Sequence, residues 1–141
     1  MFAAVHRHVQ GVLVEFYRQA FAEQTTCLAQ LCAALEASTI DEPVRPELTR
    51  FASIASVEIQ RHRELGQILE ADMLGIREFF TRLIEAGKAR QEIAPDVTTE
   101  AAVNMIIASL FGLAWLRAQV GSAAEHGDAI RAFQRLLRGG L

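Results

Sequence analysis

Apolar residues return at every third or fourth position through most of this chain, and almost nowhere do they alternate. That spacing stacks them along one side of a helix, because 3.6 residues complete a turn, and it predicts an all-α fold. From the start, Phe2, Val5, Val9, Leu13, Phe16, Ala20 and Phe21 form one such side. A second, shorter helix is expected around Thr26–Ala37, with Leu28, Leu31, Cys32 and Leu35 inward. "STIDEPVRP" gathers prolines and polar residues into the clearest loop of the chain. Pro46 suits the first turn of a third helix, where its absent N–H would have had no partner. That helix would carry Leu48, Phe51, Ala52, Ala55 and Ile59 on one side.

A break is expected near His62. Beyond it, Leu65, Ile68, Leu69, Ile76, Phe79, Phe80, Leu83 and Ile84 make the longest stripe. Arg90 falls in the last turn of this helix, where a cation opposes the negative end of the dipole, and Pro95 forbids simple continuation. Thr98 can cap the next helix and Glu100 lies in its first turn, where an acid is favoured. "SAAE" at Ser122–Glu125 reads as a capping box. The last helix should run to about Arg138 and stop at the glycines that follow. The result is a single domain over residues 1–141 of about six helices, without a repeat or a low-complexity tract.

Between Ala101 and Val120 the one-sided pattern fails. Asn104, Ile107, Ala108, Phe111 and Trp115 share one face; Met105, Ser109, Gly112 and Leu116 run down the next. Ile106, Leu110 and Leu113 fill the remaining side. A helix that is apolar all round must be covered all round. Either it is central to a monomer, or a second copy supplies the missing cover. Ser109 and Gly112 favour the second solution, because small side chains let helix axes approach closely. The final helix adds Ile130, Phe133, Leu136 and Leu137 as a neighbouring stripe. Two such helices from each of two subunits would form a four-helix bundle about a two-fold axis. The expected homodimer interface is therefore Met105, Ser109, Gly112, Leu116, Ile130, Phe133 and Leu137.

Composition agrees with buried apolar surface beyond an ordinary core: 51% of residues are hydrophobic, against about 45–50% in typical soluble chains. Net charge is −3, with cations scattered among acids. No basic face of the kind that neutralises phosphates is apparent, so DNA binding by this segment itself is not expected. Cys27 and Cys32 are five positions apart and point to different sides of a helix, which suits reduced core thiols. The opening "MFAAVHRHVQ" lacks the features of a signal peptide. The greasy stretch Ala101–Leu116 falls short of the ~20 residues that span a bilayer. A cytoplasmic protein that does not enter membranes is expected.

Catalytic chemistry finds little footing. Carboxylate-bridged metal bundles need repeated Glu-x-x-His pairs on facing helices, and the chain has none. His6 and His8 face different ways, and Glu58 with His62 makes at most one pair of ligands. There is no glycine-rich phosphate loop and no histidine near either cysteine in sequence. Neither an enzyme nor a bound metal or cofactor is expected.

The segment "FFTRLIEAGKARQEIAPDVTTEAAVNMIIASLFGLAWL" resembles the C-terminal core of TetR-type transcriptional regulators. In that family a long helix ends in an "LLxxGxAxGEI" phrase, a short "xxDxDPExAA" turn follows, and the next helix carries "xxDGL". The matching residues are Leu83, Ile84, Gly87, Ala89, Glu92, Ile93, Asp96, Glu100, Ala101, Ala102, Gly112 and Leu113. The departures are Gln91 where the family often has glycine, Thr98-Thr99 for Asp-Pro, and Phe111 for Asp. "MFAAVHRHV" is similar to the tail of the phrase that opens the family's fourth helix, with Ala4, Val5 and Val9 in register.

The resemblance implies an effector-binding and dimerisation domain without its N-terminal helix-turn-helix. DNA would be bound only through that missing part, and a small ligand among the helices would shift the first helix to release it. The expected pocket comprises Phe16, Tyr17, Phe51, His62, Met73, Phe80, Asn104, Ile107, Phe111 and Trp115. Its chemistry suits an apolar or aromatic effector with a few polar handles, of which Asn104 is one. The rival reading is a helical dimerisation module that binds no ligand.

Overall fold

The computed structural model describes residues 2–37, 54, 58, 61–120 and 122–139. Its helices are α1 (Phe2–Phe21), α2 (Cys27–Ala37), α3 (Arg63–Ala89), α4 (Thr99–Val120) and α5 (Ala123–Leu137). No strand occurs among the described residues, so the chain is all-α as its periodicity predicts. The expected third helix, from Pro46 with Leu48, Phe51, Ala52, Ala55 and Ile59, lies outside the described residues, although Ile54, Glu58 and Arg61 are helical. The break falls at His62, whose extended backbone (φ −125°, ψ 94°) precedes α3.

The core is aromatic where α1 meets α3. Tyr17 lies 5.6 Å from Phe80 and 6.4 Å from Phe79 between ring centres, and Phe21 stacks on Phe79 at 5.1 Å. Phe80 has no exposed surface at all. Ile76, Leu83 and Ile84 continue the buried side of α3, and Val103 and Ile107 of α4 close over it. Ile130 of α5 is 1% exposed, buried within its own chain. Buried Gln134 ties α5 to α2 by donating to the Cys32 carbonyl at 3.2 Å and to Glu36 Oε1 at 3.0 Å.

The phrase that ends α3 has a physical account residue by residue. Arg90 is the C-cap. The Gln91 N–H donates to the Lys88 carbonyl at 2.9 Å and the Glu92 N–H to the Gly87 carbonyl at 2.9 Å. These are the paired 5→2 and 6→1 bonds of a Schellman stop, which requires a left-handed residue at the first position past the cap. Gln91 supplies it at φ 61°. The left-handed stop is therefore built without the glycine that usually makes it.

Gly87 is demanded by contact rather than by its backbone angle. A Cβ there would lie 2.8 Å from Ile93 Cδ1 and 3.1 Å from Cys27 Cβ. Only a residue without a side chain lets the start of α2 come this near to α3. Glu92 then reaches that start: its carboxylate accepts from the Cys27 N–H and from Arg90 Nε, each at 2.5 Å. Thr26 Oγ1 takes the Ala29 N–H at 3.1 Å, so both groups satisfy otherwise orphaned N–H groups of α2. The charge-assisted bond from Arg90 and the Cys27 N–H hold the Glu92 carboxyl below its usual range, while burial followed by the nearby Glu92 charge pushes the Cys27 thiol up.

Because Gln91 is exposed, replacing it removes strain and little contact. A left-handed non-glycine residue costs roughly 1–2 kcal/mol, and glycine's extra chain entropy returns roughly 0.5–1 of it. Gln91→Gly should therefore stabilise the fold by up to about 1.5 kcal/mol, read as a higher midpoint in urea with an unchanged slope.

Candidate functional site

α4 begins with its backbone well anchored. The Thr98 carbonyl accepts the Ala102 N–H at 3.0 Å, as an N-cap residue should. The Thr99 hydroxyl accepts from Lys88 Nζ at 3.1 Å and donates to the Glu85 carboxylate, stitching the start of α4 to the end of α3. From there Val103 and Ile107 are buried, and Ala102, Ile106, Leu110 and Phe111 pack against the same core. That is one side of the helix. The other side is open: Ala101, Asn104, Met105, Ala108, Gly112 and Trp115 are exposed, with Met105 at 68% and Trp115 at 56%.

α5 extends this surface. Its first turn is capped by Ser122, whose Oγ accepts the Glu125 N–H at 3.4 Å, one of the two bonds of the expected capping box. The chain leaves the helix through Gly139 at φ 81°. Leu136 and Leu137 are exposed at 49% and 37%. Between α2, α4 and α5 lies an open cleft of about 50 Å³ walled by Leu31, Met105, Ser109, Phe133 and Leu137 among others. A ligand pocket of roughly 300–1,000 Å³ is several times larger.

The expected dimer residues divide. Met105, Gly112 and Leu137 lie on the open surface, and Ser109, Leu116 and Phe133 at its half-buried edge. Ile130 does not belong there, because it is 1% exposed inside its own chain. The Ser109 hydroxyl donates to the Met105 carbonyl at 2.8 Å within its helix, so the face shows small size there rather than an unsatisfied donor. At Gly112 an added Cβ would meet nothing within 4 Å. Nothing in its own chain asks for a glycine at this place, where glycine weakens a helix by about 1 kcal/mol relative to alanine.

The expected pocket divides more sharply. Tyr17, Phe80 and Ile107 are buried in one cluster, with Phe16, Met73 and Phe111 half-buried against it. These side chains fill the space between them; the rings of Phe16 and Tyr17 are 5.8 Å apart and those of Phe79 and Phe80 5.4 Å. Asn104 and Trp115 are not with them. The inward centre of α4 falls at Val103, Ile107 and Leu110, and both residues are turned roughly 100° away from it, into solvent. Asn104 is thus not a buried polar handle. His62 is also outside: its side chain is 61% exposed, with Nε2 3.6 Å from Glu58. Phe51 lies outside the described residues.

Three polar residues hold helices together that periodicity did not single out. Glu92 and Gln134 act on partners 65 and 102 positions away, and no local signal reports such a bond. His126 had one: it stands four residues before Ile130 on the inward stripe of α5. Its ring is 2% exposed, and its Nε2 lies 3.0 Å from the Leu113 carbonyl. A carbonyl can only accept, so Nε2 carries the proton. Burial lowers this imidazole's pKa; the Leu113 bond opposes that shift and the Arg117 charge adds to it.

Both cysteines are free and buried. Among the described residues no group of His, Cys, Asp and Glu could hold a metal ion. The 19-residue span Thr99–Arg117 is long and apolar enough to cross a membrane by length and composition, longer than the stretch marked out from the sequence. No family model matches this chain, and neither a curated protein nor a solved structure matches it.

Proposed function

We propose that this chain is the dimerisation and effector-binding core of a TetR-like transcriptional regulator, a homodimer in which α4 and α5 of two copies form a four-helix bundle. One observation carries the reading: the open side of α4 is apolar, bears Met105 and Trp115 more than half exposed, and contains a glycine its own chain does not need. A second copy of the same surface supplies what a lone chain lacks, and two-fold pairing is the commonest way to arrange it. The α3 stop supports the resemblance, since Leu83, Ile84, Gly87, Glu92 and Ile93 each have a packing or bonding reason to be what they are.

In this reading operator DNA is held by a helix-turn-helix joined to α1, and a small apolar or aromatic effector acts from among α1, α3 and α4. Such a ligand need only favour one arrangement of α1 over another by about 1–3 kcal/mol to control DNA release. The cytoplasm, where the DNA is, is the matching location.

A second reading has its own observation. The aromatic cluster between α1 and α3 is filled by its own rings, as a dimerisation module without a ligand would have it. Two measurements separate the possibilities. Sedimentation of the purified chain should give a dimer at micromolar concentration; a monomer at tens of micromolar would remove the regulator reading. A thermal-shift screen of small aromatic and aliphatic compounds should find at least one that stabilises, by about 2.7 kcal/mol at a hundredfold excess over its Kd. A dimer that responds to no compound is the plain module.

A further inference from the structure

We propose that His126 is an acid-sensitive latch between α4 and α5: uptake of a proton by its ring loosens α5 from α4 and with it the face the two helices present together. The geometry is that of a closed joint. The ring is enclosed, at 2% exposure, in the first turn of α5. Its bond across the joint runs to the backbone of α4 at Leu113. Leu113 lies between Gly112 and Trp115, so the bond fastens α5 directly behind the open apolar side of α4.

A neutral ring fits this place. A protonated ring brings a second N–H, on Nδ1, and a full charge into an enclosed site, where an unpaired charge is strongly disfavoured. The charged groups around it offer little relief. From α4 the acting group is Arg117, which repels a proton on the ring. On α5 itself, Glu125 is exposed, and Asp128 is engaged by Arg131 at 2.5 Å. From α2, Glu36 is held by Gln134, about two turns further along α5.

The sign of the effect follows from linkage. An unfolded histidine takes up its proton near pH 6.5, and this folded one only at lower pH. Between the two the open state binds more protons, so stability is complete above about pH 7 and falls as pH drops through 6.5. Ordinary carboxylates titrate near 4, and the Glu92 carboxyl is held below its ordinary value. A comparison of pH 7.5 with pH 5.3 therefore stays above the ordinary carboxylate range, and the His126→Gln variant separates this imidazole from the chain's three other histidines.

Two readouts test the latch, and only the second rests on the dimer reading. Amide exchange of the α4 and α5 backbone in the full chain should quicken at least threefold at pH 5.3, after correction for intrinsic rates. His126→Gln keeps an N–H for Leu113 but cannot titrate, and should show less than a threefold change. By sedimentation, the dimer dissociation constant of the unaltered chain should rise at least tenfold over the same interval, and that of the variant should not. If the chain is a monomer at both pH values the dimer fails while the exchange result still decides the latch. Equal pH dependence in chain and variant would overturn it. So would a His126 ring titrating at or above 6.5 by NMR, a measurement that stands even if the variant does not fold.

Discussion

Phe80→Ala should cost about 3–5 kcal/mol of folding stability, the range for a fully enclosed phenylalanine. The ring is 0% exposed and sits against Tyr17 at 5.6 Å and Phe79 at 5.4 Å between centres. Truncation removes contacts on every side, and the neighbours belong to two helices that cannot both collapse into the space. A loss of this size is a large share of the 5–15 kcal/mol that holds an ordinary domain together, so the melting transition should move by many degrees or the variant should accumulate poorly. Leu74→Ala is the control, since Leu74 stands on the same helix at 55% exposure and should change stability by roughly 0.5 kcal/mol or less.

The same variant bears on the effector. An apolar cavity the size of a lost phenyl ring stays dry and accepts small aromatic compounds. Benzene or indole should therefore raise the melting temperature of Phe80→Ala more than that of the unaltered chain. If the unaltered chain responds equally, the aromatic cluster already opens for ligands, and Phe16, Tyr17 and Met73 regain the role the sequence suggested. A stability loss under about 1 kcal/mol would mean that Phe80 is not enclosed as described.

Helix positions were legible because the signals are local. The stripe from Ile76 to Ile84, the break at His62 and the cap at Ser122 each depend on residues within a turn or two of one another. The open side of α4 was legible for a related reason: a helix apolar all round announces that its cover is incomplete. Which residues faced out was not legible there. With apolar side chains at every angle, sequence offers no stripe to fix the rotation, and its spacing puts Asn104 and Trp115 with Ile107 although both are exposed. Ile130 failed differently, because α5 has both an inner and an outer apolar edge and spacing alone does not rank them. The joints made by Glu92, His126 and Gln134 are tertiary facts, set only when separate helices meet.

Gly112→Leu should weaken the dimer by about 30-fold to 20,000-fold while leaving each folded chain slightly more stable. The two effects come from different surroundings. Within its own chain Gly112 has no heavy atom within 4 Å of an added Cβ, and leucine is the better helix former by nearly 1 kcal/mol. Across a two-fold interface the same side chain enters twice, once from each copy, and overfilling a close contact costs about 1–3 kcal/mol each time. A total of about 2–6 kcal/mol, at 1.4 per tenfold, gives the range stated. Gly75 makes the comparison clean, because it too is exposed, helical and open within 4 Å, but on α3. Gly75→Leu should give the same small gain in stability and leave the dissociation constant unchanged. Sedimentation equilibrium of both variants reads the difference. Should they behave alike, the glycine of α4 meets no second copy, and the open side of that helix has some other cover.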